Sequence, residues 1–179
     1  DHYPVTATLH TAMLEPVRHY TGYRGERRRI LIVDNEQTDR ELLVNVLAPL
    51  GFVLEQAASG IECLEALPRF SPDLIFIDLA MPGIDGWETI RRIGAQQLSD
   101  AKIAVISANA YDKALENDVG LASRDFILKP VRVAELLEWI GVALSLEWLE
   151  AKPPAAPAAA PRIPLPAALS SLLHQIELG

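Results

Sequence analysis

An apolar run that stops on a carboxylate constrains this chain more than any other feature. Leu74-Ile-Phe-Ile77 has the pattern of a strand buried on both faces. It ends in Asp78. Met81-Pro-Gly83 and Asp85-Gly86 follow, and these form turns and cannot continue a strand. A carboxylate at the carboxyl end of a buried parallel strand sits where open α/β sheets place their chemistry.

Other strand runs bring partners to the same edge. Ile30-Leu-Ile-Val33 is followed by Asp34-Asn35-Glu36, Ile103-Ala-Val-Ile106 by Ser107, and Phe126-Ile-Leu128 by Lys129-Pro130. Val53 to Ala57 is a weaker strand. Helical patterns lie between them. One runs from about Gln37 to Leu50, with Leu42, Leu43, Val46, Leu47 and Leu50 as its stripe, Pro49 in its last turn and Gly51 ending it. A second, lined by Ile61, Leu64 and Leu67, is expected to stop before Pro68. A third spans Trp87 to about Ala95, and a weaker one Asp112 to about Leu121. A long final helix, Val131 to about Glu150, carries Val133, Leu136, Leu137, Ile140, Leu144 and Trp148 as its stripe.

This alternation predicts an α/β fold, a parallel sheet with helices on both faces; the arrangement expected for five strands is the doubly wound, flavodoxin-like sheet of order 2-1-3-4-5. Strands one and three then flank the switch point. Asp34 and Asp78 meet in one crevice, with Ser107 and Lys129 beside them.

The rest of the chain sets limits. Its 179 residues carry a formal net charge of −8, which argues against nucleic acid as a partner. A single cysteine, Cys63, gives neither a disulfide framework nor a thiolate metal cluster, and reads as a small buried side chain. No apolar run approaches the roughly 18 residues of a membrane span, so no membrane contact is expected of this segment. The start lacks the pattern of a secretion signal, and a chain opening on Asp1 reads as a piece of something longer. Residues 1–29 read as a tail or linker from a preceding domain. In it, Arg24, Arg27, Arg28 and Arg29 form a solvated charge run, and His2, His10 and His19 are surface residues without a metal-type spacing. Residues 30–150 form the domain, 151–166 a Pro/Ala-rich linker, and 167–179 a short amphipathic helix with Leu169, Leu172, Leu173 and Ile176 on one face.

Two carboxylates and backbone carbonyls suit a hard divalent cation such as Mg²⁺. A lysine point charge holds an incoming phosphoryl oxygen, and a serine hydroxyl donates to another. One carboxylate oxygen remains as the nucleophile, and the product is an aspartyl phosphate. Singly, each of these residues reads more simply as a turn, a cap or a surface charge. Their joint placement on the strand ends of one sheet carries the reading.

Residues 30–146 resemble the receiver domain of two-component response regulators and hybrid sensor histidine kinases. The matching motifs are Ile30-Leu-Ile-Val-Asp34-Asn-Glu36, Pro72 to Gly86, Ile106-Ser107-Ala108 and Asp125-Phe-Ile-Leu-Lys129-Pro130. The resemblance implies that Asp78 is the phosphoacceptor, taking a phosphoryl group from the phosphohistidine of a histidine kinase or histidine phosphotransfer domain. A kinase domain of the same polypeptide is a further candidate donor. It implies that Asp34 and Asn35 fill the acidic-pair positions that, with Asp78, hold Mg²⁺, and that the carbonyl of Ala80 is a further ligand. It makes Ser107 the switch hydroxyl, Lys129 the active-site lysine, and Phe126 the switch aromatic, turning inward on phosphorylation. The face that includes Trp139 and Trp148 would then change shape. The Lys129–Pro130 bond is expected to be cis.

A receiver promotes only its own phosphorylation and dephosphorylation; any further activity would belong to a parent kinase. The flanks, Thr21 to Arg29 and Leu146 to Glu150, look similar to receivers embedded in hybrid kinases, and a cytoplasmic setting fits. Two positions depart from the family pattern. Asn35 is neutral where a second acid is expected, which predicts weaker Mg²⁺ binding, with Glu36 assisting at longer range. Positions 80 and 109, which tune phosphate lifetime in the family, are Ala80 and Asn109. Ala80 offers no side chain to orient a water, which predicts slow self-dephosphorylation.

Three rivals are weighed. A haloacid dehalogenase-type phosphohydrolase wants an acid at position 80. A pseudo-receiver that only binds partners draws support from Asn35. A histidine phosphotransfer role for His174 lacks a four-helix bundle to carry it.

Overall fold

A computed structural model describes residues 19–109 and 118–151. His2, His10, His174, most of the expected helix from Asp112, nearly all of the Pro/Ala-rich stretch and the amphipathic segment after it lie outside the described residues.

The elements in chain order are β1 (Tyr20–Tyr23), β2 (Arg29–Val33), α1 (Gln37–Leu47), β3 (Val53–Ala57), α2 (Gly60–Phe70), β4 (Leu74–Asp78), α3 (Gly86–Ala95), β5 (Lys102–Ser107), β6 (Phe126–Leu128), α4 (Val133–Ala143) and β7 (Trp148–Glu150). Strands β3-β2-β4-β5-β6 form one five-stranded sheet in that spatial order, and all four pairings are parallel. This is the expected 2-1-3-4-5 doubly wound order.

The pleat sorts the strand residues to two cores. Leu31, Val33, Ile75 and Ile77 point to one face, where Cys63, Leu67 and Phe70 of α2 and Ile90 and Ile93 of α3 cover them. Ile30, Ile32, Leu74 and Phe76 point to the other, under Leu43 and Leu47 of α1 and Leu136 and Ile140 of α4. Continuous apolar runs are what such two-faced burial demands. Cys63 is fully buried, and burial pushes its thiol up to about 12.

Local chemistry sets the helix starts. Ser59 Oγ accepts from the Glu62 N–H (3.2 Å) while Glu62 accepts from the Ala58 N–H (2.8 Å), a reciprocal cap for α2. Asp85 Oδ1 accepts from the Glu88 N–H at the head of α3 (2.8 Å). Gly86 follows because α3 starts against the end of β4: a Cβ there would lie 2.4 Å from the Asp78 carbonyl oxygen.

Three helix readings need correction. The first helix ends at Leu47, and Ala48–Leu50 is a tighter 3₁₀ turn closed by Gly51 in the left-handed region; Leu42 lies outside the buried stripe and is exposed. α2 does not stop before Pro68 but runs through it to Phe70. The buried Phe70 ring anchors the last turn, and the Ser71 N–H caps Leu67 O at 2.9 Å. Ile61, expected to line α2, is exposed.

The final helix ends at Ala143 rather than near Glu150. Ser145 turns to φ 52° and the Leu146 N–H reaches Gly141 O at 2.9 Å, a helix-ending turn in which the orphan carbonyl is satisfied. The chain then reverses into β7, which pairs antiparallel with β1. Trp148 therefore leaves the helix stripe. It stacks on Tyr20 (4.7 Å between ring centroids) and meets Tyr23 and Phe52 edge-on. Its spacing fits a helical stripe, but the turn at Ser145 carries it into an aromatic cluster instead. Residues 20–23, expected within a tail or linker, supply the other half of this ribbon.

The clasp depends on a missing side chain. A Cβ on Gly141 would lie 2.5 Å from Trp148 Nε1. Gly141→Ala is expected to cost about 1–3 kcal/mol of stability through overpacking, read as a lower urea midpoint with weakened near-ultraviolet circular dichroism from the Tyr20–Trp148 stack. A wild-type midpoint would contradict this packing.

Candidate functional site

Strand register builds the site. Val33 pairs with Ile77, so the next residues, Asp34 and Asp78, emerge side by side at the carboxyl edge. Ser107 pairs with Leu128, and the Lys129 N–H donates to Ser107 O at 2.8 Å. The sheet thus delivers Asp34, Asp78, Ser107 and Lys129 to one crevice at the switch point, as the sequence predicts. Ser107 is buried, and so are Asp34 and Asp78, which is unusual for carboxylates without a partner.

Their partner is Lys129. Its Nζ lies 2.9 Å from Asp34 Oδ2 and 3.2 Å from Asp78 Oδ1. It also donates to Asp39 Oδ2 at 2.6 Å, the shortest of the three contacts. The three N–H donors of one ammonium match three carboxylates. Asp39 is the crevice residue that sequence reasoning missed. It reads as an ordinary acid in the first turn of a helix, where the dipole favours negative charge. The signal was its place: α1 begins at the same sheet edge as Asp34, so its first turn overhangs the crevice.

Around this centre the backbone is tied down. Asp34 Oδ1 accepts from the Glu36 N–H (2.8 Å), and the Arg40 guanidinium donates to Asp34 O (2.6 Å). Asn35 Nδ2 donates to Glu36 Oε1 at 2.9 Å, so its amide faces along the loop. Ser107 Oγ accepts from the Asn109 N–H at 3.0 Å. Ala80 is exposed at the mouth, and the Lys129–Pro130 bond is cis as expected. Phe126 is buried in the structure, its ring 5.9 Å from that of Trp87. Trp139 is likewise held inward, its indole N–H donating to Asp125 Oδ1 at 3.2 Å.

Burial pushes the Asp78 carboxyl above its ordinary value. Lys129 and a backbone hydrogen bond from Ala80 pull it back, and the nearby Asp34 charge adds to the rise. Burial alone would lower the Lys129 ammonium, but hydrogen bonds to Asp39 and Asp34 and the charges of Asp78 and Asp34 more than offset it, holding it above the usual lysine value.

The donor set suits a small hard cation. The carboxylates of Asp34 and Asp78 and a carbonyl such as that of Ala80 are all oxygens, and Mg²⁺ takes few protein ligands and keeps several waters. Among the described residues no group of three His, Cys, Asp or Glu side chains is placed to hold a metal ion, so water and a phosphate oxygen would complete the shell. No described helix is long and apolar enough to cross a membrane.

A parallel 2-1-3-4-5 sheet with paired carboxylates and a lysine at its switch point defines a class: the doubly wound domains that handle charged groups at the strand ends. Comparison with known proteins narrows this. The family model described as the response regulator receiver domain matches residues 30–141. The chemotaxis protein CheY of Bacillus subtilis is 32% identical over 118 residues, covering 65% of this chain and 98% of that protein. The Regulator of RpoS of Escherichia coli is 35% identical over 105 residues, but these span only 31% of its length and 59% of this chain. A solved structure of a response regulator from Chloroflexus aurantiacus superposes with a TM-score of 0.61 at 28% identity, covering 67% of this chain and 99% of that one. The chain belongs to the response regulator receiver domain family of two-component signalling.

The raised Asp78 carboxyl has a consequence for stability. A carboxyl whose value is higher folded than unfolded contributes stability at low pH, and that contribution is lost as pH rises through the folded value. Asp78→Asn is therefore expected to raise the denaturation midpoint at neutral pH. The gain should fade as pH falls toward the ordinary carboxylate value of 3.8. An equal gain at both pH values would contradict it.

Proposed function

We propose that Asp78 accepts a phosphoryl group from a phosphohistidine, and that the change in charge at the crevice switches a protein-binding face. The observation that supports this most is the single ammonium of Lys129 shared by Asp34 and Asp78 at the ends of neighbouring strands. In the transfer, an Asp78 carboxylate oxygen attacks phosphorus and the phosphorus–nitrogen bond to the donor imidazole breaks. The imidazole leaves with the electron pair and regains a proton, and an acyl phosphate remains on Asp78. Lys129 offers its positive charge to the oxygens of the transferred group, and the Ser107 hydroxyl hydrogen-bonds to another of them. Asp34, Asp78 and the Ala80 carbonyl would hold Mg²⁺, which when bound neutralises negative charge between the carboxylates and the incoming phosphate.

The donor is a histidine kinase or histidine phosphotransfer domain. We read the parent as a hybrid sensor histidine kinase acting in the cytoplasm. β1 and β7 pair and His19 O meets the Ala151 N–H at 2.7 Å, so the flanking segments leave the domain side by side, which suits a module set between others. A second reading, a receiver that binds partners without phosphorylation, draws on Asn35, whose amide is occupied by Glu36 rather than adding a charge to the site.

Intact mass after incubation with Mg²⁺ and acetyl phosphate separates the two. One added phosphoryl group on the wild type and none on Asp78→Asn is expected; no addition at high Mg²⁺ would favour the binding-only reading. The labelled form should decay slowly in Mg²⁺ buffer, since Ala80 cannot orient a water. Decay within seconds would contradict that role for position 80.

A further inference from the structure

The crevice has a charge count that the strand-end residues alone do not reach. A receiver site with acids at both positions after β2 would set three carboxylates, counting the phosphoacceptor, against one lysine. Here Asn35 is neutral, and Asp34 and Asp78 alone leave the site one negative charge short. The structure supplies a third carboxylate from another element. Asp39, in the first turn of α1, places Oδ2 2.6 Å from Lys129 Nζ, which is itself 2.9 Å from Asp34 and 3.2 Å from Asp78.

We infer that Asp39 is a positioning residue that restores the charge missing at Asn35, anchoring Lys129 from α1 and strengthening divalent-cation binding between Asp34 and Asp78. The inference rests on the metal-assisted phosphoacceptor reading of this crevice.

Two physical effects act in the same direction. An anion this close to the crevice lowers the free energy of a divalent cation there, and the interaction is only partly screened because the crevice walls are low-dielectric. The second effect is competition. In the absence of Asp39, the Lys129 ammonium would be shared by Asp34 and Asp78 alone, the two carboxylates that a cation needs. Asp39 makes the shortest of the three contacts and draws the ammonium toward the outer rim. It can do so without a large desolvation cost, because its side chain is 44% exposed whereas those of Asp34 and Asp78 are 7% and 8%. Asp39 is not a ligand in this scheme: it acts through Lys129 and through its charge.

The test measures Mg²⁺ binding directly by titration calorimetry and, beside it, the Mg²⁺ concentration that half-saturates labelling by acetyl phosphate. The proteins are the wild type, Asp39→Asn, Asp39→Glu, the double variant Asn35→Asp/Asp39→Asn, and Asp34→Asn as the site control. Asp39→Asn should weaken Mg²⁺ binding about five- to tenfold, the size expected for removing one unit charge near a partly exposed site. Asp39→Glu should stay near wild type, and the double variant should regain wild-type affinity because a charge returns at position 35. Asp39 lies on the helix surface, so urea midpoints should stay within a small margin, which separates an effect on the site from an effect on folding. Unchanged Mg²⁺ affinity in Asp39→Asn, or a double variant no tighter than Asp39→Asn, would overturn the proposal. If Asp34→Asn also binds Mg²⁺ as the wild type does, the crevice is not the metal site, and the metal-assisted part of the reading falls along with the inference, while labelling of Asp78 decides the phosphoacceptor role separately.

Discussion

One ammonium group holds the functional edge of this domain together. Asp34 and Asp78 are buried side by side because strands β2 and β4 are in parallel register, and two buried carboxylates at that spacing repel each other. Lys129 answers both, and it reaches them from β6, at the far end of the sheet. The crevice therefore depends on the correct order of strands that are distant in sequence. Burial raises the cost of ionising Asp78 while Lys129 lowers it, which leaves a poorly solvated carboxylate at the strand end.

The scaffold around this edge is built from close approaches. Gly86 lets α3 start on the end of β4, behind Asp78, and Gly141 lets Trp148 pack against α4. The second contact closes a ribbon between the two flanks of the chain, with Tyr20, Tyr23, Phe52 and Trp148 forming its aromatic filling. Segments entering and leaving the domain are thus mechanically joined to α4, whose Leu136 and Ile140 sit in the same core as Phe76 and Ile106. The aromatic residues of the clasp pack against the same core layer that carries Ile106 and Ile127, the residues next to the strand ends.

Much of the site was legible because strand ends are legible. Four apolar runs, each ending in a residue of chemical use, needed only the topology rule to bring them together. The switch-point placement of Asp34, Asp78, Ser107 and Lys129 follows once the strands take the 2-1-3-4-5 order. Asp39 was not legible, since helix-start acids are common and nothing local says which of them faces a lysine ninety residues away. The buried state of Phe126 was also out of reach, because it depends on Trp87 arriving from α3.

The sequence by itself determined the fold class and the identity of the four strand-end groups. These rest on short-range information: runs of apolar residues, turn residues and the right-handed crossover. Only the tertiary structure decided where the last helix stops, that Tyr20–Tyr23 and Trp148–Glu150 form a ribbon, and which carboxylates share Lys129. The physical reason is the same in each case. Periodicity says that a side chain will be buried but not against what. Trp148 fits a helical stripe and an aromatic cluster equally well on paper, and the choice is made by the partners that the rest of the chain brings within reach.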